Sequence, residues 1–224
     1  MAVEYTATAR RLGILSAMVV VVIEIAYGIT MVVGFSSLRS PEQPIGDPMF
    51  SIMEILIIVM MPAMVALMVA VHAWAPTRAK ALSLASLVFM GLLAGVTSCV
   101  HFVILTVSRQ AAFAGQSWLP LFLSFKWPSV AYAVDILSWD VFFALSMLFA
   151  APVFSGSRLA ATIRLLMIAS GALALAGLSG VVAGDMQLRN IGIFGYVPVF
   201  LVVAVLLAVL FQRTGPVAAP ATGT

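Results

Sequence analysis

Long apolar runs alternate with short polar breaks along the whole chain. A bilayer core of about 30 Å takes about 20 residues of helix to cross. Six runs meet that length, at residues 12–34, 49–74, 80–107, 129–153, 160–183 and 191–212. The breaks hold residues that stop helices. Pro41, Pro44, Gly46 and Pro48 follow the first run, and Pro76 with Arg78 and Lys80 follows the second. Ser155, Gly156 and Ser157 follow the fourth, and Gly184 with Asp185 ends the fifth. The two-residue alternation of a lipid-facing strand is missing, which excludes a β-barrel. The predicted fold is therefore all-α, a polytopic six-helix transmembrane bundle. One transmembrane domain is expected over 1–214 and a disordered cytoplasmic tail over 215–224. The first run is too long for a signal-peptide core and carries Glu24 in its middle, so it is expected to be retained.

Composition excludes whole classes. Of the 224 residues, 63% are hydrophobic and 8% charged, and mean hydropathy is +1.18. Soluble domains carry about 45–50% apolar and about 25% charged residues. A soluble globular domain, a disordered chain and a basic nucleic-acid-binding domain are thereby excluded, and no nucleic-acid partner is expected. The single Cys99 excludes an internal disulfide or a thiolate cluster; it is expected as a small core residue. With a cytoplasmic N-terminus, Arg10, Arg11, Arg78, Lys80, Arg158, Arg164 and Arg213 face inside. Arg39, Arg109, Lys126 and Arg189 then face outside. The excess inside predicts a multi-pass cell-membrane protein with both termini cytoplasmic.

Between the third and fourth runs, Trp118 to Trp127 is apolar and aromatic yet too short to cross. It reads as an interfacial segment on the outer side, either hugging the membrane or covering a cavity.

The chemistry rests on a few polar residues within the runs: Glu24, Glu54, Asp135, Asp140, His72 and His101. Charge is unfavourable in lipid, so such residues turn inward and often mark function. No lysine or arginine is expected at their depth, so some of the acids are expected to be neutral hydrogen-bond donors at pH 7. At a rise of about 1.5 Å per residue, Glu54, His101 and Asp135 share a layer in the outer half. Glu24 and Asp140 lie nearer the middle, and His72 stands alone at the inner end. Ser83, Met90, Ala94, Thr97 and His101 form one polar stripe, at about 100° per residue. Asp140 lies about 140° from Asp135 by the same rule, so one of them is expected to meet a different neighbour.

The candidate pocket is Glu24, Glu54, Thr97, His101 and Asp135, with Tyr27, Trp139 and Asp140 at its margin. Each also has a plain structural reading. Glu54 with His101 can fix helix register, Glu24 with Tyr27 can be an interior hydrogen-bonded pair, and Asp135 can cap its helix. His72 reads as a solvated interface residue, and Asn190 as the cap of the sixth helix. Gly180-Val-Val-Ala-Gly184 reads first as close packing within the bundle and second as an oligomer seam.

Neither HxxxH nor ExxH occurs, so no metal is expected. The two histidines lie at opposite faces and cannot share a haem iron. P-loop, GxSxG and HExxH motifs are missing. No cofactor is expected. Three functions remain open. One is small-solute or proton-linked binding and transport. Another is an enzyme acting on a lipid or isoprenoid. The third is an accessory subunit whose acids only lock packing. The first two require a small-molecule or lipid ligand; all three place the chain in a lipid bilayer.

Overall fold

The computed structural model describes residues 5–40, 43 and 45–215. Pro41, Pro44 and the tail from 216 onward lie outside the described residues. Among the described residues there is no strand. Six helices are long and apolar enough to cross a membrane: α1 (Ala7–Ser36), α2 (Met49–Trp74), α3 (Thr77–Thr106), α4 (Val130–Val153), α5 (Arg158–Ala183) and α6 (Met186–Arg213). The protein is a multi-pass membrane protein.

Side chains start most of these helices by meeting backbone N–H groups that have no partner within the helix. The Thr6 hydroxyl accepts from the Ala9 N–H at 3.1 Å. Ser129 accepts from Tyr132 at 3.1 Å and Ser157 from Ala160 at 3.1 Å. Ser129, not Asp135, therefore caps α4. The Asp185 carboxylate accepts from the Gln187 N–H at 2.9 Å and starts α6 at Met186 rather than 191. Asn190 thus lies inside the helix and does not cap it. Gly184 adopts φ +68°, the left-handed conformation that a side chain disfavours, and so ends α5.

Each helix packs on its sequence neighbours, and α6 returns to α1. That closure is uneven. The Phe200–Arg213 part of α6 lies against α1, whereas Met186–Val199 makes no comparable contact. Both ends of the described residues meet where the contact is tight. Tyr5 stacks on Phe211 with ring centroids 6.2 Å apart. Arg10 donates to the carbonyls of Phe211 at 2.9 Å and Gln212 at 2.7 Å. We call this side proximal and the opposite side distal.

The core of the proximal half is tightly packed. Met64, Leu67, Met68, Leu93, Met147 and Phe200 are fully buried there. Two serines hold α3 to α4 within it. Ser86 donates to the Ser146 carbonyl at 2.7 Å, and Ser146 donates to the Ser86 carbonyl at 3.0 Å. Hydroxyls in an apolar interior are satisfied in this way without any charge. Outside, Leu15, Val22, Ile29, Phe102, Leu165 and Val182 are exposed, as a lipid-facing surface requires. Cys99 is exposed among them, which corrects its expected place in the core. Two residues on from Thr97, it sits across the helix from the buried stripe.

The Gly180 end of GxxxG is used within the chain. A methyl group on Gly180 would meet the Arg189 backbone nitrogen at 2.8 Å, so the glycine lets α5 lie directly on the start of α6.

Candidate functional site

The distal half is built around one chain of ionisable groups that crosses four helices. Glu54 enters from α2 one turn and a half after its distal start, at a position facing inward. His101 enters from the buried stripe of α3. Its Nδ1 lies 2.7 Å from Glu54 Oε2 and its Nε2 lies 3.3 Å from Asp135 Oδ1 on α4. These three residues are at most 7% exposed. The shared layer expected of Glu54, His101 and Asp135 is therefore present as direct contact. The trio is a continuous hydrogen-bonded chain, and not merely three neighbours in depth.

The chain continues to a residue that sequence reasoning placed outside the membrane. Arg189, at the start of α6, is 5% exposed. Its Nε donates to Asp140 Oδ2 at 3.0 Å and its Nη2 to Asp135 Oδ2 at 3.5 Å. Nη1 donates to the Tyr132 hydroxyl at 3.0 Å, and the guanidinium carbon sits 4.8 Å from the centre of that ring. The expectation of no cation at this depth is thus corrected. So is the expected divergence of Asp135 and Asp140, since both reach the same guanidinium. The reason is local. Leu137–Phe143 forms π-helical turns, which close on the fifth residue instead of the fourth. Residues five apart then return toward one side, and the rule for a regular helix fails.

Glycines make room for this pair. A methyl on Gly192 would lie 2.7 Å from Asp140 Oδ1, and one on Gly177 would lie 3.2 Å from it. A second π-helical stretch, Gly195–Val199, surrounds Pro198 in α6. There the Ser170 hydroxyl donates to the Gly195 carbonyl at 2.8 Å and ties α5 to the irregular turn.

A cavity of about 370 Å³ opens beside the chain. Glu24, Tyr27, Glu54, His101, Asp135 and Trp139 line it, as does Arg189. Thr97 and Asp140 do not; both are fully buried behind it. From the interfacial segment only Phe125 reaches the wall, its ring centroid 4.9 Å from that of His101. Trp118, Leu121 and Phe122 stay exposed. Glu24 makes no hydrogen bond to Tyr27, so that interior pair is not formed; its Oε2 is buried without a partner. His72 is far from all this. Its Nδ1 lies 2.8 Å from the Ser83 hydroxyl near the proximal turn.

No protein family, curated protein or solved structure matches this chain.

The chemistry of the site is set by the imidazole. A neutral imidazole has one donor and one acceptor nitrogen. With carboxyls on both nitrogens, either the ring is an imidazolium between two carboxylates, or one carboxyl holds the proton. The two arrangements differ only by a proton moving along hydrogen bonds. The carboxyls extend outward from the ring, and among the described residues no three His, Cys, Asp or Glu side chains converge as a metal site would need. Arg189 was the residue missed. Its signal was present in the balance of charge: four acids at membrane depth without a cation, beside glycines at 177, 180, 192 and 195.

Proposed function

We propose that this protein binds a small solute in the distal cavity and couples that binding to proton movement through Glu54, His101 and Asp135. The observation that carries this reading is the double hydrogen bond of His101 at the wall of a cavity. A histidine locked between two carboxyls only to fix helix register needs no cavity beside it. The charge balance also favours exchangeable protons. Four buried acids face one arginine and one histidine, so full ionisation leaves a net negative cluster in an apolar surround.

Moving Arg189 into the interior leaves Arg39, Arg109 and Lys126 on the distal side against seven basic residues on the proximal side. Cytoplasmic termini and a cavity facing outward follow from that asymmetry.

A test is proton flux into liposomes loaded with a pH-sensitive dye after an external acid pulse. The wild-type protein is expected to speed equilibration, and Glu54→Gln and His101→Ala to lose at least about tenfold of that rate, the scale of a lost proton-transfer group. His72→Ala should retain it. A His101→Ala protein as fast as wild type would overturn the proton-handling role.

A second reading, an enzyme acting on a lipid or isoprenoid, draws on one observation. The wall between α1 and the distal half of α6 is loosely closed, which would let a lipid reach the same carboxyl–histidine pair from the side. Lipid extracts incubated with the pure protein and compared by mass before and after separate this reading from the first.

A further inference from the structure

The cavity has a floor, and the floor carries a carboxyl whose Oε2 nothing among the described residues answers. Counting down from the distal helix ends at about 1.5 Å per residue, Glu54, His101 and Asp135 lie about 8 Å deep. Glu24 lies about 18 Å deep by the same rise, level with Met60, and below the His101 chain. It is 5% exposed. Among the described residues it takes part in no ion pair, and its Oε2 has no hydrogen-bond partner. A buried carboxyl left unpaired is unfavourable unless something supplies the missing donor or charge.

Arg189 is not that partner. Its guanidinium reaches Asp140, Asp135 and Tyr132 and makes no ion pair with Glu24. The remaining cationic candidate in the cavity, His101, is held by Glu54 and Asp135. Just above Glu24, about 14–15 Å down by the same rise, the wall is aromatic instead. Trp139 and Tyr196 line it, with ring centroids 5.1 Å apart and planes tilted by 38°. Tyr27, one turn above Glu24 on α1, lines it as well. Aromatic faces attract cations, most strongly where water is displaced. Toward the distal mouth the α1 side of the lining is apolar, with Met31 and Phe35, and Ile45 of the following loop joins it.

We infer that the ligand is a small organic cation with an apolar body, seated head-down with its ammonium group between Glu24 and the Trp139–Tyr196 corner. This rests on the reading above that the cavity binds a solute, and it names that solute's class. The apolar body then fills the upper cavity beside Met31 and Phe35, and a volume of about 370 Å³ limits it to a compact molecule. An anionic ligand would meet three cavity-lining carboxyls and an arginine that is already engaged.

The experiment compares three probes of similar size on the purified full chain in an uncharged maltoside detergent, with empty micelles subtracted. Phenyltrimethylammonium carries the cation, tert-butylbenzene is its neutral isostere, and benzoate is an anion. Phenyltrimethylammonium is expected to bind at least about tenfold tighter than tert-butylbenzene, the scale of a desolvated cation–aromatic contact with a counter-charge, and benzoate weakest. Glu24→Gln should erase the preference while tert-butylbenzene still binds. Equal binding of the cation and its isostere, or tighter binding of benzoate, overturns the inference and leaves the cavity as a binding site. A preference that survives Glu24→Gln at full size overturns the role of Glu24. Failure of all three probes to bind overturns both the inference and the solute-binding reading. The wild-type ratio decides the ligand class even where the variant fails to fold.

Discussion

The two halves of this bundle solve the same problem of filling a membrane interior in opposite ways. The core of the proximal half is packed with methionine, leucine and phenylalanine, and Ser86 and Ser146 tie α3 to α4 within it. The distal half uses five ionisable groups in series, two π-helical stretches and a cavity. Helix α1 closes tightly on α6 in the first and loosely in the second. Regular helices suffice where packing is the only demand. Irregular turns occur where side chains must converge on one guanidinium. The contrast is why the proposed function is assigned to the distal half, because among the described residues the buried ionisable groups gather there.

The largest expected effect comes from removing the buried arginine. Arg189→Met leaves Asp135 and Asp140 without their counter-charge and should lower stability by about 3–5 kcal/mol, the usual loss when one member of a buried pair is deleted. Thermal unfolding in detergent measures it. The double change Arg189→Met with Asp140→Leu should recover much of that loss, since Asp135 keeps His101. No recovery would mean that Arg189 acts through Tyr132 or packing rather than through charge.

In the proximal half the same measurement should respond to volume alone. Met64→Ala opens a hole in a fully buried position and should lower stability by about 2 kcal/mol or more, while the distal cavity keeps its binding. A loss of binding to match would show that the two halves are coupled. Gly192→Ala belongs to the seam that supports the charged chain. Its methyl would press on Asp140 Oδ1, and overpacking of this kind should lower stability by about 1–3 kcal/mol. Gly28→Ala, with nothing within 4 Å, should be neutral or mildly stabilising and serves as its control.

The smallest effect lies at the distal rim. Arg109 Nη1 pairs with Asp47 at 3.1 Å outside the spans. The Ser51 hydroxyl, and then Arg109, hold the Asp47 carboxyl below its ordinary range. Asp47 is thus more acidic in the folded chain than in the unfolded one. Its contribution is complete above the unfolded value, near about pH 4, and fades as pH falls through the folded value. Unfolding temperatures of wild type and Asp47→Asn should differ slightly at pH 7 and converge toward pH 3. A gap that stays constant would assign the effect to shape and not to charge.

The six spans were legible because an uninterrupted apolar run of about 20 residues matches the thickness of a bilayer core and exceeds what most soluble helices bury. Glu54, His101 and Asp135 were legible as a layer because depth along a helix follows from residue counts. Arg189 was not, because hydropathy assigns an arginine near a glycine-rich turn to a loop; Asp185 at the helix cap moves the start of α6 and brings Arg189 under cover. Asp140 was misplaced because a π-helical turn has no signature in apolar periodicity. Cys99 was misplaced for a simpler reason, since the periodicity that buried Thr97 and His101 already placed it on the opposite face. The lack of a Tyr27 partner for Glu24 is a matter of side-chain reach, which sequence spacing does not fix.

A bundle with a cavity in one half and solid packing in the other divides a membrane voltage unevenly. An elementary charge carried across the full membrane gains or loses about 2.3 kcal/mol per 100 mV. Field falls mainly across the least polarisable stretch, here the layer of Met64, Leu67, Met68 and Leu93. A cation bound at Glu24, as inferred above, would cross little of the voltage, and any further passage toward the chain termini would cross nearly all of it. Occupancy of the cavity should be almost indifferent to membrane potential, whereas movement past the methionine layer should be driven by it.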